Sequence, residues 1–337
     1  MSLGQGSTIG AWLRRPWIWT ALGGVVLAAL LWGQGRGRMP DAGPDLKGQT
    51  IMDHPGSSGR VLGPADVQAQ RQSWRDEQDA LMRSEQSPLA RVDYIHLRAG
   101  TLDLSTDPHA GVHVPADSLS RPLGQVRFVV EPPAPVQLFA EPPIFLNGVP
   151  QSRAALQKGQ VLSLGLLRLL FTGTADDPAL AVYDLGCAAR TSYRGLHYFP
   201  EDDRYRVRAT IQRYAQPRTV RLAASRGEDK DMQAIGVLHF RLPSGRDESM
   251  EAYLEQPGSP RLFLIFRDGT NGKKGGSYGA GRFLYAQLGS DDQVWLDFNQ
   301  AWNPLCAYSA YFHCPLPPRT NWLTSDIPVG EQQYSEH

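Results

Sequence analysis

Residues 205–211 read YRVRATI, and apolar and polar side chains alternate along the whole stretch. The apolar set consists of Tyr205, Val207, Ala209 and Ile211, and the polar set of Arg206, Arg208 and Thr210. Because successive side chains of a β-strand point to opposite faces, this alternation predicts a strand with one face on a core and the other toward water. This stretch therefore predicts a β fold.

Similar short runs, rich in branched and aromatic residues, follow one another from residue 126 to residue 298. They are 126–130 (VRFVV), 136–139 (VQLF), 161–171 (VLSLGLLRLLF), 218–222 (RTVRL), 235–242 (IGVLHFRL), 262–266 (LFLIF), 281–288 (GRFLYAQL) and 293–298 (QVWLDF). Turns such as Leu146-Asn147-Gly148 and Pro243-Ser244-Gly245 are typical of hairpins. We expect a mainly β domain, built as an antiparallel barrel or as sandwich-like sheets.

The composition and the motifs of the sequence argue against several classes of function. The chain has 34 basic and 34 acidic residues and a formal net charge of zero, so no overall field attracts nucleic acid, and we expect no nucleic-acid partner. The sequence contains no Gly-x-Ser-x-Gly, His-Glu-x-x-His or dinucleotide-binding motif, and it indicates no particular cofactor.

An uncharged apolar segment occupies residues 17–33, WIWTALGGVVLAALLWG. A helix of this length spans about 25 Å, enough for a short membrane crossing. A buried core helix and a cleaved secretory signal are the alternatives. The C-terminal end of the segment, Leu31-Trp32-Gly33, lacks the pattern of small residues that a signal cleavage site requires. We therefore expect a single-pass transmembrane anchor that holds the protein in the membrane.

The flanks of this segment suggest an orientation. Arg14 and Arg15 favour a cytoplasmic position for residues 1–16, which would place the rest of the chain on the periplasmic or other extracytoplasmic side. Residues 34–60 contain many glycines and prolines and no apolar period, which predicts a flexible linker. Residues 61–337 would then form one β-rich globular domain.

One helix is predicted at the start of that domain, from Pro64 to about residue 86. Val67, Trp74 and Leu81 repeat every seven residues, and Ser87-Pro88 ends the run,. The repeat is too short for a coiled coil with a partner, so we expect this helix to pack on its own domain.

The most distinctive residues lie at 263–331. They form three groups: FLIFRDGTNGKKGGSYGAGRFLYAQ, then WLDFNQAWNPLCAYSAYFHCPLPPRTNWL, then IPVGE. In this order and spacing they resemble the bacterial and archaeal family called domain of unknown function 1684. The likeness includes GLHYFPEDDRYRV at 195–207 and extends more weakly back to Trp74. The resemblance implies no known activity, so the chemistry has to be inferred from the residues.

A glycine-rich loop connects two of the predicted strands and contains Asp268, Asn271 and Tyr278, with Arg282 at its end. Exposed backbone amides in such a loop could bind an anion, and Arg282 could hold a carboxylate or phosphate with two hydrogen bonds. The alternative is a structural turn in which Asp268 and Asn271 bond to their own backbone.

A second polar group follows the last predicted strand. Asp297 and Asn299 share a face, and Asn303 and Glu331 come later in the chain. These side chains could point together at a small polar or anionic ligand, and Glu331 could form an acid pair with Asp297. An internal ion pair between Asp297 and Arg282 is the structural alternative.

Three cysteines are present: Cys187, which we expect to be a buried apolar residue, and the closely spaced Cys306 and Cys314. In an oxidising compartment the latter two could form a disulfide, worth about 2.5 kcal/mol on the chain-entropy model. A reduced structural pair and a metal site with His313 as third ligand are the alternatives.

Two functions are compatible with these residues. The first is a membrane-tethered binding or structural module that recognises a small polar ligand or an envelope component through the surface of residues 268–303. The second is an extracytoplasmic hydrolase or metal-dependent enzyme. It would use Asp297, Glu331 and the group Cys306, Cys314 and His313.

Overall fold

A computed structural model describes residues 63–334, apart from residues 120, 121, 255, 257, 260 and 290. The predicted cytoplasmic segment 1–16, anchor 17–33 and linker 34–60 lie outside these residues. Among the residues that are described, no helix is both long enough and apolar enough to cross a membrane.

The described chain begins with helix α1, Pro64–Arg83. It ends slightly before the predicted residue 86 because Ser84 adopts an extended conformation. The buried side chains of α1 are Val67, Arg71, Trp74 and Met82, so the predicted seven-residue stripe is wrong at Leu81. The helix follows the 3.6-residue period of a single surface helix, as packing on its own domain requires.

Nine strands form the first sheet, which is antiparallel except for one short parallel pair between β2 and β3. Its strands are β1 Arg91–His96, β2 Gly100–Ser105, β3 Val112–His113, β4 Gln125–Val130, β5 Gln137–Leu146, β6 Val149–Ala155, β7 Val161–Leu164, β8 Leu167–Gly173 and β9 Pro178–Asp184. Their order across the sheet is β1-β9-β8-β7-β5-β4-β2-β3, and β6 pairs with β5. Phe128, Leu138, Leu162 and Leu169 are among the buried residues of its core.

The second sheet has six antiparallel strands in the order β14-β13-β12-β11-β10-β15. These are β10 Arg206–Leu222, β11 Lys230–Arg241, β12 Asp247–Leu254, β13 Arg261–Phe266, β14 Arg282–Gln287 and β15 Gln293–Asp297. A bridge between Leu288 and Val294 joins the strand ends β14 and β15, which makes this sheet barrel-like. The expectation of a mainly β fold with barrel-like sheets and one preceding helix is confirmed.

Two predicted runs differ from the strands observed. The run 161–171 is a hairpin of β7 and β8, because Gly165 takes a positive φ of 60°. The runs 205–211 and 218–222 belong to one long strand, β10, whose pairing with β11 shifts between Arg213 and Arg218. A short helix, α2, was not predicted; it covers only Ala188–Thr191.

The two faces of the second sheet have different environments. One face carries the main core, to which Leu262, Leu264 and Leu284 contribute. The opposite face, called the outer face below, carries Ile265 and Phe283 and is covered at one end by the C-terminal segment around Phe312 and Cys314. Residues 298–334 therefore pack on a sheet whose strands pair with one another. This packing positions every predicted site residue that follows β15.

Candidate functional site

The glycine-rich loop between β13 and β14 is a structural turn. The Asn271 side-chain oxygen accepts a hydrogen bond from the Asp268 backbone N–H at 2.6 Å, and Asp268 Oδ1 accepts one from the Thr270 N–H at 2.8 Å. The Asn271 amide donates to Ser277 Oγ and to the Tyr278 carbonyl. The loop's polar groups therefore bond to one another, as in the turn alternative.

Arg282 lies inside the protein and does not face solvent. Its side chain and that of Asp268 are both 0% exposed, and Nη2 lies 2.7 Å from Asp268 Oδ2. The guanidinium also donates to the carbonyls of Ile327 and Val329. The Arg282 fork therefore holds the C-terminal tail, since it satisfies buried carbonyl oxygens; the predicted anion-binding role stays a prediction.

Asp297 has a different partner from the one predicted. Arg71 of α1 donates to its two carboxylate oxygens, with Nε 2.7 Å from Oδ2 and Nη2 3.1 Å from Oδ1. Arg71 also lies 2.6 Å from Asp203 Oδ1. The proposed Asp297–Arg282 ion pair is thus absent, because each of the two charges is matched by a closer group: Arg71 for Asp297, Asp268 for Arg282.

Asn299 fixes the loop that precedes β10. Its side-chain oxygen accepts from the Asp202 N–H at 2.9 Å, and its amide donates to the Asp202 carbonyl at 3.0 Å. The amide also donates to Asp297 Oδ1. Asn299 is fully buried and acts as an internal bridge between two chain segments that are distant in sequence.

Asn303 and Glu331 form a separate buried group. The Asn303 backbone N–H and side-chain amide donate to the two Glu331 carboxylate oxygens at 2.9 and 2.8 Å, and Tyr308 also donates to this carboxylate. Burial raises the pKa of Glu331 to about 7, against the opposing effect of these hydrogen bonds. Glu331 and Asp297 therefore belong to different networks, and the predicted acid pair between them is not formed.

Cys306 and Cys314 are neighbours in space, and both are free thiols, as is Cys187. The Cys306 backbone N–H lies 3.4 Å from Cys314 Sγ. The disulfide stays a prediction. Within the described residues no group of three or more histidine, cysteine or carboxylate side chains could hold a metal ion. The metal hypothesis for Cys306, His313 and Cys314 is therefore not supported, since the structure does not bring the imidazole together with both sulfurs.

Two features of this region escaped the sequence interpretation. The first is Arg71, which occupies a position in the buried stripe of α1 where an apolar residue would be expected. Its place in that stripe is the only signal that could have identified it, because a buried arginine requires carboxylate partners.

The second missed feature is a group of three half-buried rings on the outer face, called the aromatic platform below: Phe263, Tyr285 and Trp302. Phe263 and Tyr285 are paired across β13 and β14, and Trp302 continues the sheet through a bridge to Phe283. The ring centroids lie 4.7 Å apart for Tyr285–Trp302 and 5.4 Å apart for Phe263–Tyr285. The alternation of the two strands places these residues on one face, but only the bridge brings in Trp302.

The fold and this site define a β-rich domain whose most conspicuous polar residues are internal. Residues 191–332 match the family described as "Protein of unknown function (DUF1684)", and the match assigns that segment to the family. It contains the whole predicted signature region 263–331 and confirms the resemblance there; the segment 17–33, which is predicted to be a membrane anchor, lies outside the match.

One similar solved structure is the solution NMR structure of an uncharacterised protein from Haloarcula marismortui. It is 36% identical, with 44% of this chain and 81% of that chain covered and a TM-score of 0.37. No curated protein matches the chain.

Proposed function

We propose that the chain is a membrane-tethered binding module that recognises a carbohydrate of the cell envelope through its aromatic platform. The observation that carries the proposal is the mutual arrangement of Phe263, Tyr285 and Trp302. Their planes are tilted by 36° to 40° relative to one another, and the centroids of Tyr285 and Trp302 lie 4.7 Å apart, so the three rings pack against one another as a compact, half-buried cluster of aromatic carbon on the outer face.

Such a surface suits a sugar because one face of a pyranose ring carries mainly C–H groups, which pack on aromatic rings, while its hydroxyls stay available to polar groups. The Arg261 guanidinium lies over the Tyr285 ring, 4.3 Å from its centroid, so a positive charge packs on the platform itself. This charge favours a sugar that carries a carboxylate, as some envelope glycans do.

The platform lies within or beside the expected binding surface, since Tyr285 and Trp302 belong to residues 268–303 and Phe263 precedes them. The buried groups of that surface support the platform from below. Arg282 and Asp268 hold β14 against the C-terminal tail. Glu331 fixes Asn303, the residue that follows Trp302, by accepting its backbone hydrogen bond. In this proposal the polar residues keep the platform rigid and do not themselves contact the ligand.

An enzyme that uses Asp297 and Glu331 receives no support from the geometry. Glu331 is 1% exposed, and Asp297 is held by Arg71 with both carboxylate oxygens. A general acid or base must reach the substrate within hydrogen-bond distance. The two carboxyl groups would have to leave their partners before they could do so.

Single-stranded nucleic acid is the other common ligand of aromatic platforms. Its phosphates need a groove of positive charge, whereas this chain has a formal net charge of zero. We therefore favour the carbohydrate and use an oligonucleotide as a competing ligand in the test.

The test is isothermal titration of the full-length protein in mild detergent with soluble peptidoglycan fragments. Trp302→Ala should weaken binding about fivefold or more, because a truncated aromatic anchor in a binding surface costs more than about 1 kcal/mol. Trp295→Ala is the matched control: Trp295 is 45% exposed on β15, under the Arg206 guanidinium, and lies outside the platform.

Equal losses in the two variants, or tighter binding of an oligothymidylate than of the glycan, would overturn the proposal. Circular dichroism at the titration temperature distinguishes lost binding from lost folding.

The membrane part of the proposal rests on residues 17–33 alone and is tested separately. Cell fractionation should find the full-length chain with the membrane and a chain that lacks residues 1–33 in the soluble fraction. Protease added to intact spheroplasts should digest the domain, because the orientation places it outside the cytoplasm. Protection of the domain would reverse the orientation, and it would also exclude an extracytoplasmic envelope glycan as the ligand of the platform.

A further inference from the structure

The segment from Leu305 to Pro315 brings two sulfur atoms together at the edge of the outer face. Cys306 lies in a short helical turn, Leu305–Ala307. Cys314 lies in an extended stretch that is attached to residue Ser225, since the Ser225 N–H donates to the Cys314 carbonyl at 2.8 Å and the Cys314 N–H donates to Ser225 Oγ at 3.1 Å. The backbone thus fixes both cysteines, and Cys306 N–H points at Cys314 Sγ.

The two thiols have different surroundings. Cys314 is 1% exposed, whereas Cys306 is half-buried. Cys306 has polar neighbours: its N–H lies 3.4 Å from Cys314 Sγ, the Tyr278 hydroxyl donates to its backbone carbonyl at 3.5 Å, and Ser225 is bonded to the adjacent Cys314. These polar neighbours favour a thiolate at Cys306, whereas the interaction with Cys306 and burial raise the pKa of Cys314,.

We propose that Cys306 and Cys314 form a thiol–disulfide exchange site, in which Cys306 is the attacking sulfur and Cys314 the resolving sulfur, and that its reaction partner is a disulfide. The asymmetry of exposure assigns the roles, because the first attack requires access to an external disulfide and the second only requires proximity to Cys306. The hydrogen bonds from Cys314, Ser225 and Tyr278 lower the pKa of Cys306 to about 7, which supports this assignment.

The reaction balances without any further oxidant. The Cys306 thiolate attacks one sulfur of the external disulfide, a mixed disulfide forms, and the first external thiolate leaves and takes a proton from water. Cys314 then attacks Cys306 Sγ and the second external thiolate leaves with the proton that Cys314 gives up. The two cysteines are oxidised by two electrons in total, and the external disulfide is reduced to two thiols.

Cys187 supplies an internal control. It lies apart from the pair and donates to the Leu89 carbonyl at 3.2 Å, and burial raises its pKa. At pH 7 about half of a thiol with a pKa near 7 is ionised, against a few per cent of an ordinary thiol, so Cys306 should be alkylated on the order of tenfold faster than Cys187.

The experiment uses the reduced full-length protein in mild detergent, equilibrated with mixtures of reduced and oxidised glutathione, alkylated and analysed by peptide mass spectrometry. Cys306 and Cys314 should lose their reactivity together at one midpoint, while Cys187 stays alkylated. Cys314→Ser should stop at a glutathione adduct on Cys306. Cys306→Ser should give no adduct on Cys314, because that sulfur is buried and protonated.

Two further variants test the positioning of the attacking sulfur. Tyr278→Phe and Ser225→Ala should shift the midpoint of the alkylation rate of Cys306 to higher pH, whereas Cys187→Ser should leave it in place. The proposal is overturned if Cys306 and Cys314 oxidise at separate midpoints, if Cys314→Ser and Cys306→Ser form adducts equally fast, or if oxidation of the native wild-type protein requires denaturant. These measurements are independent of glycan binding, so either proposal can fail alone.

Discussion

The two sheets of this domain reach a stable fold by different means. The first sheet, β1 to β9, is held together mainly by apolar packing, and its described buried polar side chains are Ser118 and Asp184. The second sheet and its tail contain a series of buried polar and charged side chains: Glu251, Asp268, Thr270, Ser277, Arg282, Asn299, Asn303, Asn321, Ser325 and Glu331.

The difference follows from how each region is completed. The strands of the first sheet pair with one another, so its backbone groups are satisfied within the ladders. The second sheet is completed by residues 298–334, which are largely irregular and cross the sheet after it is paired. Buried backbone groups require hydrogen-bond partners, and the tail supplies some of them: the Asn321 amide donates to the carbonyls of Glu251 on β12 and Ile265 on β13 at 3.0 and 2.9 Å.

The largest expected effect concerns the buried ion pair of the second sheet. Arg282→Ala should lower the free energy of unfolding by about 3 to 5 kcal/mol, because the substitution leaves the Asp268 carboxylate buried without its counter-charge. Urea denaturation monitored by circular dichroism measures this change in the free energy of unfolding. The matched control is Arg241→Ala, which removes an exposed Arg241–Asp247 pair on the same sheet and should leave the midpoint unchanged.

A similar midpoint for both arginine variants would remove the contrast between the sheets, since the polar network would then contribute no more than an exposed ion pair does.

The sequence predicted the strands of the two sheets better than the contacts between them. Alternation identified β10, and the turn at Leu146-Asn147-Gly148 was correct because Asn147 and Gly148 take positive φ values of 49° and 79°. Strand β9 was missed because all of its residues are buried, so it does not alternate. Both successes depend on local backbone preferences, which are properties of short segments.

For the site, the sequence indicated the residue types that are involved but not the contacts that they make. The sequence drew attention to several residues of the buried network, yet their partners depend on contacts between distant segments. Arg71 and Asp297 are 226 positions apart. A local pattern cannot distinguish a carboxylate that meets a helix from one that meets a ligand, since both require the same residue type at the end of a strand.

Glu331 gives the second largest expected effect, as a pH dependence. Its pKa rises from 4.5 to about 7 on folding because of burial. Below pH 4.5 both states carry the proton; as the pH rises to about 7 the unfolded chain releases it while the folded chain retains it, so stability is lost across this window. The loss should be on the order of 3 kcal/mol.

Urea denaturation between pH 4.5 and pH 8 measures this dependence. Glu331→Gln removes the titrating carboxyl and should flatten the profile; its amide oxygen can accept one of the two hydrogen bonds that Asn303 donates to Glu331,. Glu228→Gln, at an exposed position, should reproduce the slope of the wild-type protein. An unchanged slope in Glu331→Gln would assign the pH dependence to other groups and would place Glu331 among ordinary surface carboxylates, against its burial.

A smaller effect is expected from the polar pair of the first sheet. Ser118 Oγ donates to Asp184 Oδ2 at 2.6 Å, and the Gly186 N–H donates to Asp184 Oδ1. Ser118→Ala should cost about 1 to 2 kcal/mol, because Asp184 keeps the second bond. Ser152→Ala, exposed on β6 of the same sheet, is the control for urea denaturation. A cost as large as that of Arg282→Ala would show that the first sheet also depends on a buried charge.

The smallest effect is expected at Leu166, and it tests whether the first sheet is stabilised by apolar packing. Leu166 is 48% exposed at the turn between β7 and β8, whereas its neighbour Leu167 is 0% exposed. Leu166→Ala should change the free energy of unfolding by less than about 0.5 kcal/mol, and Leu167→Ala, the same chemical change one residue later, should cost about 2 to 5 kcal/mol. If the two variants lost similar amounts, Leu166 would have to be covered in solution, and the unfolding midpoint would then depend on protein concentration. A first sheet stabilised by its own packing alone requires the opposite: a large difference between these neighbours at every concentration, because only Leu167 leaves a cavity inside the core when it is shortened.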